Sequence, residues 1–367
     1  MKTLSYLKFE MDEVLRGLGE AVACAAAVDA TIVCILRHGF GTTRISVESL
    51  YAATDRRFNV IYVDVNSPPA VRSYLEKQAV NREGFFHLRI DEYVSRQTAR
   101  LLAMEMVRSP YVAFLDNNML LSRGWLGSLL DAAAETGAAM VSPIIVTHGG
   151  EIHFSAGFVE KRHGKVVRPH FQAGGPVCSK LADARVRRMD IDFAESHGCL
   201  AETAAIRTPG VLKESLHNAQ TLCCAAYNLK RNHGRRIVME PTAVVSIVPI
   251  SFGYDLPWMC LSYMDRDLLA GSYRELVSLM GSGPSTDLAH GLRWHAMHFK
   301  YLLTTLLQDG RLTRPDLLAT DEISEGVRGY DRPLAKNTDA AIRELVLPHV
   351  EEHLPQLAPL LAAWLAH

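Results

Sequence analysis

Charged side chains follow several apolar runs of the sequence, at the positions where buried strands are expected to end. Arg37 and His38 follow the run TIVCIL, Asp64 follows VIYV, and Asp116 ends YVAFLD. In a parallel α/β sheet ligands bind beyond the carboxyl ends of the strands, so we expect these side chains to converge on one crevice. A carboxylate there can hold a divalent cation, and cationic side chains can neutralise a bound anion.

The elements that would position these residues alternate between strand and helix. Strands are predicted at 31–36, 60–63, 111–116 and 138–146, because these runs are short, apolar and rich in β-branched residues. Helical stretches separate them, including a long one at 92–107. The alternation predicts an α/β fold with a parallel sheet and helices on both faces.

The chain beyond residue 146 follows a different pattern. A hairpin is predicted in SAGFVEKRHGKVVRPHF, a strand in DIDFAES (190–196), a helix over roughly 215–232 and a further strand over 236–248. The residues after 250 are predicted to be mostly helical. We therefore expect an N-terminal helix (1–28), an α/β domain (29–250) and a helical C-terminal extension (251–367).

Composition limits the classes of function. The 367 residues are 48% hydrophobic and carry a net charge of −1, so no basic field favours nucleic acid. The seven cysteines form no CxxC pair, which predicts reduced, buried thiols. The stretch before AVACAAAVDA is charged, and no apolar run reaches the roughly 18–20 residues of a membrane span. We therefore expect a cytoplasmic protein without a membrane span.

The order of these segments resembles the family 2 glycosyltransferases over roughly residues 30–248. VIYVDVNS resembles the motif "vvDDgS", and the stretch from Ala99 to Leu130 resembles "ARNxGxxxAxGeyixfLDxDdxxxpxwLexl" without a gap, with matches at Arg100, FLD and Trp125. DIDFAESHGCLA resembles the acceptor strand "VdxxxGaxxl", and NHGRRIVMEPTAVV resembles "raGyrixyxPxAvv". The resemblance implies a GT-A type nucleotide-binding sheet flanked by helices, with a nucleotide half (29–146) and an acceptor half (147–250).

The resemblance also implies roles on the donor side. It places Asp64 against the uracil ring of a nucleotide sugar, a UDP-sugar in preference to a GDP-sugar, although Asp64 also suits an Asx turn before two prolines. Asp116 and Asn118 stand in the place of the DxD motif, which holds Mg²⁺ or Mn²⁺ in the family. Asp116 alternatively suits a turn or helix cap. Arg37, His38 and Arg100 offer a second means of neutralising the diphosphate, without metal.

Two departures from the family pattern concern catalysis. The DxD motif reads Asp116-Asn117-Asn118, so its second carboxylate is an amide, which puts metal dependence in doubt. The family's "ED" pair, which supplies the usual base, is missing from SLHNAQTLCCAAYNL. The remaining base candidates, which the sequence does not rank decisively, are Glu195, Glu202, Glu214, His197 and His217.

The expected activity is therefore hexosyl transfer, with inversion, to an acceptor that is a small molecule, a glycan or a peptide. A catalytically inactive relative that binds or scaffolds is the alternative that the missing acids motivate. A nucleotidyltransferase would need a lysine in the first loop, and a Rossmann oxidoreductase would need GxGxxG there; HGFGTTR has neither.

The helical extension carries three histidines, His290, His295 and His298, whose spacing lacks the HExxH pattern and favours packing or an interface over metal binding. We expect the extension to cap the acceptor site or to form a homodimer, because amphipathic helices need a partner for their apolar faces.

Overall fold

A mixed, twisted sheet forms the centre of the protein in the computed structural model. The structure describes residues 4–25, 27–36, 40–92, 94–147, 149–162, 165–172, 186–216, 221–248 and 266–280, with a few isolated positions from 343 to 362. The strand order is β10-β12-β6-β11-β4-β1-β2-β3; β5 pairs with β12, β7 with β6, and β8 with β9 form a separate hairpin. Two helices, α1 and α2, occupy the region expected to hold a single N-terminal helix.

The described strands are β1 (Ala30–Ile35), β2 (Phe58–Val65), β3 (Phe85–Ile90), β4 (Tyr111–Asp116), β5 (Met119–Leu121), β6 (Met140–Thr147), β7 (Ile152–Phe154), β8 (Ala156–Arg162), β9 (Lys165–Gln172), β10 (Met189–Asp190), β11 (Gly198–Glu202) and β12 (Ile237–Ile247). The described helices are α1 (Leu4–Glu10), α2 (Asp12–Cys24), α3 (Thr43–Ala53), α4 (Pro69–Asn81), α5 (Arg96–Met104), α6 (Trp125–Thr136), α7 (Thr203–Ile206), α8 (Thr221–His233) and α9 (Arg266–Met280).

The direction of the strands differs from the all-parallel prediction. Strands β1, β2 and β4 are parallel, as predicted, and β3 lies parallel beside β2; β6 is parallel to β12. Strand β11 runs antiparallel between β4 and β6 and joins the two parallel blocks. Its five residues GCLAE pair across the sheet with partners far away in sequence, a relationship that local periodicity does not encode. Of the strand predicted at 190–196, Asp190 lies in β10 and Phe193 forms only an isolated bridge with Gly157, and the next strand begins at Gly198.

Apolar side chains from both sheet faces pack against helices, as predicted. One core places α3, α4 and α6 against the sheet through Leu50, Leu75 and Leu129. The other core places α2, α5 and α8 against the opposite face. Trp125 is fully buried at the start of α6, and its indole N–H donates to Thr54 Oγ1 at 3.0 Å. The buried strand β1 lies between these two layers, so its carboxyl end is fixed from both sides.

Helix α5 begins later than the predicted 92–107 because Ser95 caps its N-terminal end. The Ser95 backbone is extended, and its hydroxyl accepts a hydrogen bond from the Thr98 N–H at 3.0 Å, as a helix N-cap does. The cap fixes the first turn of α5, where Arg96 stands.

Among the described helices, none is long and apolar enough to cross a membrane. The predicted helix over 290–307, with its three histidines, lies outside the described residues, as do Arg37, His38 and His217.

Candidate active site

The site lies at the carboxyl ends of three neighbouring strands. In the sheet register Ile35 of β1 pairs with Val63 of β2 on one side and with Asp116 of β4 on the other. The backbones of Asp64 and Asp116 therefore lie about two strand spacings apart, roughly 10 Å. Because Asp64 is one residue beyond the position in register with Asp116, the two side chains leave the sheet on opposite faces at this edge. The structure thus brings the two carboxylates to the same edge of the sheet, on either side of β1.

Asp64 is fully buried and holds a dense set of hydrogen bonds. Its Oδ1 accepts from the Ser67 N–H, and its Oδ2 accepts from Ser67 Oγ, both at 2.9 Å. His87 Nε2 lies 3.0 Å from Oδ2, and Arg89 Nη1 donates to Oδ2 at 3.0 Å. Burial alone would raise the pKa of Asp64, but the bonds from His87 and Ser67 and the Arg89 charge outweigh it and lower the pKa.

Asp116 is likewise buried and forms an ion pair with Arg96, whose Nη2 donates to Oδ1. Arg96 itself is 7% exposed. The two strand-end carboxylates are thus each paired with an arginine, Asp64 with Arg89 and Asp116 with Arg96. Of each pair, the arginine side chain is the more exposed member, so the positive groups lie nearer to solvent than the negative ones.

Arg96 is not among the residues predicted from the sequence, which include Arg100, one helical turn farther on. Arg100 is only 1% exposed, and its charge opposes the burial that raises the pKa of the Cys199 thiol to about 12. The signal that would have found Arg96 is the capping serine before it, since the first residue of a capped helix is held rigidly.

The two asparagines after Asp116 differ in their surroundings. The backbone N–H of Asn117 donates to Ile35 O at 2.9 Å, and the backbone carbonyl of Asn117 accepts from Thr42 Oγ1 at 3.0 Å. Asn118 is 2% exposed, and neither its side-chain oxygen nor its side-chain nitrogen has a hydrogen-bond partner among the described residues. An unsatisfied buried amide is costly, typically about 1–3 kcal/mol, so Asn118 is suited to meeting a ligand.

The residues at Asp116 and Asn118 do not fit a resident divalent metal well. Carboxylates supply most of the charge in magnesium sites, and here a single carboxylate is already neutralised by the Arg96 guanidinium. The amide oxygen of Asn118 is a weaker, uncharged ligand. Metal binding by Asp116 and Asn118 stays a prediction, and the charge of Arg96 argues against it.

In the predicted acceptor half, Glu195 and His197 form a tight turn directly before β11. The N–H of His197 donates to Glu195 Oε2 at 2.8 Å, and the His197 ring nitrogen Nδ1 contacts the same oxygen. The carbonyl oxygen of His197 accepts from the Asp116 N–H at 3.1 Å, which extends the ladder between β4 and β11. The turn therefore adjoins Asp116.

His153 on β7 completes a cluster with this turn. One ligand atom each of His153, Glu195 and His197 lies within 4.8 Å of the other two, and the imidazole rings of the histidines meet edge to face at 5.1 Å. His153 is exposed, Glu195 is half-buried and His197 is buried. The cluster therefore connects the interior beside Asp116 with the surface.

The other two acidic candidates for the base lie elsewhere. Glu202 pairs with Arg235 and sits opposite Tyr111, at the start of β4, so the length of that strand separates it from Asp116. Glu214 is exposed and accepts from the Leu4 N–H at 3.1 Å. Of the candidates within the described chain, Glu195 and His197 are the ones next to Asp116.

A mixed sheet of this order, flanked by helices, with acidic residues at the ends of β2 and β4, is the α/β architecture that the resemblance to GT-A glycosyltransferases predicts. Residues 32–185 match the family model described as glycosyl transferase family 2, which confirms the resemblance found in the sequence.

Two solved structures are similar to the chain. GalNAc-T7 with UDP, GalNAc and Mn²⁺ has a TM-score of 0.48 at 13% identity, over 77% of this chain and 58% of that one. The chain thus spans little more than half the length of GalNAc-T7. TarS 1–349 of S. aureus has a TM-score of 0.44 at 14% identity, over 92% of this chain and 88% of that one. No curated protein sequence matches the chain.

Proposed function

We propose that the protein transfers a hexosyl group, with inversion, from a nucleotide-sugar donor, a UDP-sugar in preference, to a hydroxyl of a small molecule, glycan or peptide. The position of Asp64, Asp116 and Arg96 at one edge of the sheet carries the proposal. The family 2 match over residues 32–185 supports glycosyl transfer in general.

On the donor side, the nucleobase end lies at Asp64 and the diphosphate end at Asp116. Within the described part of the chain, Arg96 supplies a cation at the diphosphate end, because it is paired with Asp116 and more exposed than it. A guanidinium there stabilises the negative charge that builds up on the leaving diphosphate, as a metal does in metal-dependent enzymes. Asp64 lies beneath Arg89, so a nucleobase that bonds to Asp64 must displace that side chain.

The acceptor side lies at Glu195 and His197, because the bond between Asp116 N–H and His197 O joins that turn to the donor strand. The acceptor hydroxyl must meet the sugar carbon close to the diphosphate, which places it beside this turn.

A thermal-shift panel of UDP, GDP, TDP and their sugars tests donor binding, since a ligand at 100 times its Kd stabilises the fold by about 2.7 kcal/mol. We expect UDP compounds to raise the melting temperature of the wild type and of the surface control Arg16→Gln, whose side chain is 60% exposed. Arg96→Gln is expected to bind at least about tenfold more weakly, the loss of one charge-assisted hydrogen bond.

Arg96→Gln leaves Asp116 buried without its partner, so the double variant Arg96→Gln/Asp116→Asn is measured as well. In the double variant neither side chain of the pair is charged, so no buried carboxylate is left without a partner. Weak nucleotide binding that persists in the double variant is therefore a binding defect and not a folding defect. Nucleotide binding unchanged in both variants, or no response of the wild type to any nucleotide, contradicts the proposal.

An inactive binding subunit is the second candidate, and the Arg96–Asp116 pair favours it because that pair neutralises the carboxylate expected to hold metal. The two functions differ in one measurement. An enzyme releases UDP from a UDP-sugar, by hydrolysis or in the presence of acceptor, whereas an inactive subunit binds the nucleotide and releases none.

A further inference from the structure

The cluster of His153, Glu195 and His197 has the composition of a metal site rather than of an ordinary ion pair. Two imidazoles and one carboxylate are the ligands of catalytic zinc sites of the His₂Glu type. One donor atom from each side chain lies within 4.8 Å of the others. Ligands of a tetrahedral zinc ion at about 2.0–2.1 Å stand roughly 3.4 Å apart, so small side-chain rotations bring all three onto one ion.

The backbone around the cluster holds its two segments together. Gly157 O accepts from the N–H groups of Asp192 and Phe193, at 2.7 and 3.3 Å, and the Phe154 and Phe193 rings pack with centroids 6.4 Å apart. These contacts lie four residues or fewer from the nearest ligand on either segment. The ligands therefore stand on a fixed frame, as a selective metal site requires.

The exposure of the three side chains increases from His197 through Glu195 to His153, as in a site that an ion can reach from solvent. His153 alternates with buried Ile152 and Phe154 on β7, so it stands on the exposed face of that strand, whereas His197 is 3% exposed. An ion can enter from the side of His153 and meet the two inner ligands. Three protein ligands leave a fourth position for an oxygen of another molecule.

We propose that His153, Glu195 and His197 bind a single transition-metal dication of the zinc class beside the donor crevice. Imidazole nitrogens favour Zn²⁺, Co²⁺ or Ni²⁺ over Mg²⁺ and Ca²⁺, which prefer oxygen ligands. On this assignment Glu195 and His197 serve as ligands instead of removing the acceptor proton directly. The position is distinct from Asp116 and Asn118, where the family pattern would place a metal.

The role of the ion in catalysis rests on the proposed function, whereas its binding does not. An acceptor hydroxyl bound as the fourth ligand would have a lowered pKa and would lose its proton to solvent. Its oxygen then bonds to the anomeric carbon of the sugar while the bond from that carbon to the diphosphate oxygen breaks. The metal would thus supply what the missing "ED" base supplies elsewhere in the family.

The test is a titration of the full, chelator-treated chain with Zn²⁺ by calorimetry and with Co²⁺ by visible absorption. We expect His153→Ala and Glu195→Gln each to weaken binding more than about tenfold, and His233→Ala, an exposed histidine at the end of α8, to leave it unchanged. His153 is exposed and Glu195→Gln keeps the side-chain shape, so both variants are expected to fold.

A wild type that binds no Zn²⁺, or variants that bind it as tightly as the wild type, overturns the proposal. So does equal competition by Mg²⁺, which would indicate an oxygen-ligand site instead. UDP binding is measured on the same samples. A wild type that binds Zn²⁺ but does not bind UDP would defeat the proposed function and leave the metal site standing.

Discussion

Arg96 at the start of α5 forms an ion pair with Asp116 at the end of β4, and both side chains are buried. The pair joins two elements that are 20 residues apart in sequence. It places a cation against the first residue of the motif, whose third residue is an asparagine instead of a second aspartate. The crevice proposed to bind the donor is therefore less negative than a DxD motif would make it.

The cap of α5 is expected to control the position of Arg96. Ser95→Ala removes the hydroxyl that accepts from the Thr98 N–H, which should destabilise the protein by about 1 kcal/mol. Because Arg96 is the first residue of the helix, fraying of that turn should also weaken UDP binding. Urea unfolding and the thermal-shift titration measure the two effects. Ser95→Thr keeps a capping hydroxyl and is the control; equal losses in both variants would exclude the cap as the cause.

The amide of Asn118 is expected to determine whether the crevice responds to magnesium. Asn118→Asp restores the second carboxylate at a site that is 2% exposed, so the metal-free variant should be less stable by about 3 kcal/mol. Mg²⁺ should recover much of that loss, because two carboxylates outweigh the Arg96 charge. The melting temperature with and without Mg²⁺ is compared with that of the wild type and of Asn118→Ala. A wild type that responds to Mg²⁺ as strongly as the variant would contradict the expectation.

Asp64 is expected to give the stability a dependence on acidic pH. Its pKa is lowered in the folded protein, so its ionised form stabilises the fold above the unfolded pKa of about 3.9, and that contribution is lost as pH falls through the folded value. At pH 7, Asp64→Asn should cost about 3 kcal/mol, because Arg89 and His87 lose their charged partner.

Urea unfolding between pH 7 and pH 3 checks this dependence. The difference between wild type and Asp64→Asn should be constant near neutrality and shrink below about pH 4. Asp131→Asn, at an exposed carboxylate on α6, should change stability by less than about 0.5 kcal/mol at pH 7. A difference for Asp64→Asn that grows on acidification has the wrong sign for a lowered pKa.

Gly157 is expected to tolerate no side chain. A Cβ there would lie 2.5 Å from a ring carbon of Phe193 and 2.7 Å from its carbonyl oxygen, so Gly157→Ala must push β8 away from the segment before β11. We expect a loss of about 1–3 kcal/mol and weaker Zn²⁺ binding, because the frame of the metal cluster moves. Gly17→Ala lies at an exposed position of α2, where a Cβ meets nothing within 4 Å. This variant should instead stabilise the protein by up to about 1 kcal/mol. Tight Zn²⁺ binding by Gly157→Ala would show that the frame is not needed.

Much of the donor half follows from local patterns. The β-branched runs at β1, β2 and β4 predict buried parallel strands, and the carboxylates at the ends of β2 and β4 follow from the rule that ligands meet strand ends. The hairpin of β8 and β9 is likewise where the sequence predicts it. Each of these features is decided by neighbours in the chain.

The chemistry of the site depended on contacts that sequence spacing does not contain. Periodicity placed Asp64 and Asp116 at one sheet edge, but it could not show that Arg89 and Arg96 cover them, because those pairs join separate elements. Nor could it single out Glu195 and His197 among the base candidates, or bring His153 to them from β7.

The sequence by itself determined the α/β alternation, the strand ends and the resemblance to family 2, since hydrophobic periodicity and motif order are properties of the chain. The tertiary structure alone decided the antiparallel insertion of β11, the arginine partners of the carboxylates and the His153–Glu195–His197 cluster. The physical reason is that charge pairing and ligand geometry depend on distances between distant segments, and only packing of the whole domain sets those distances.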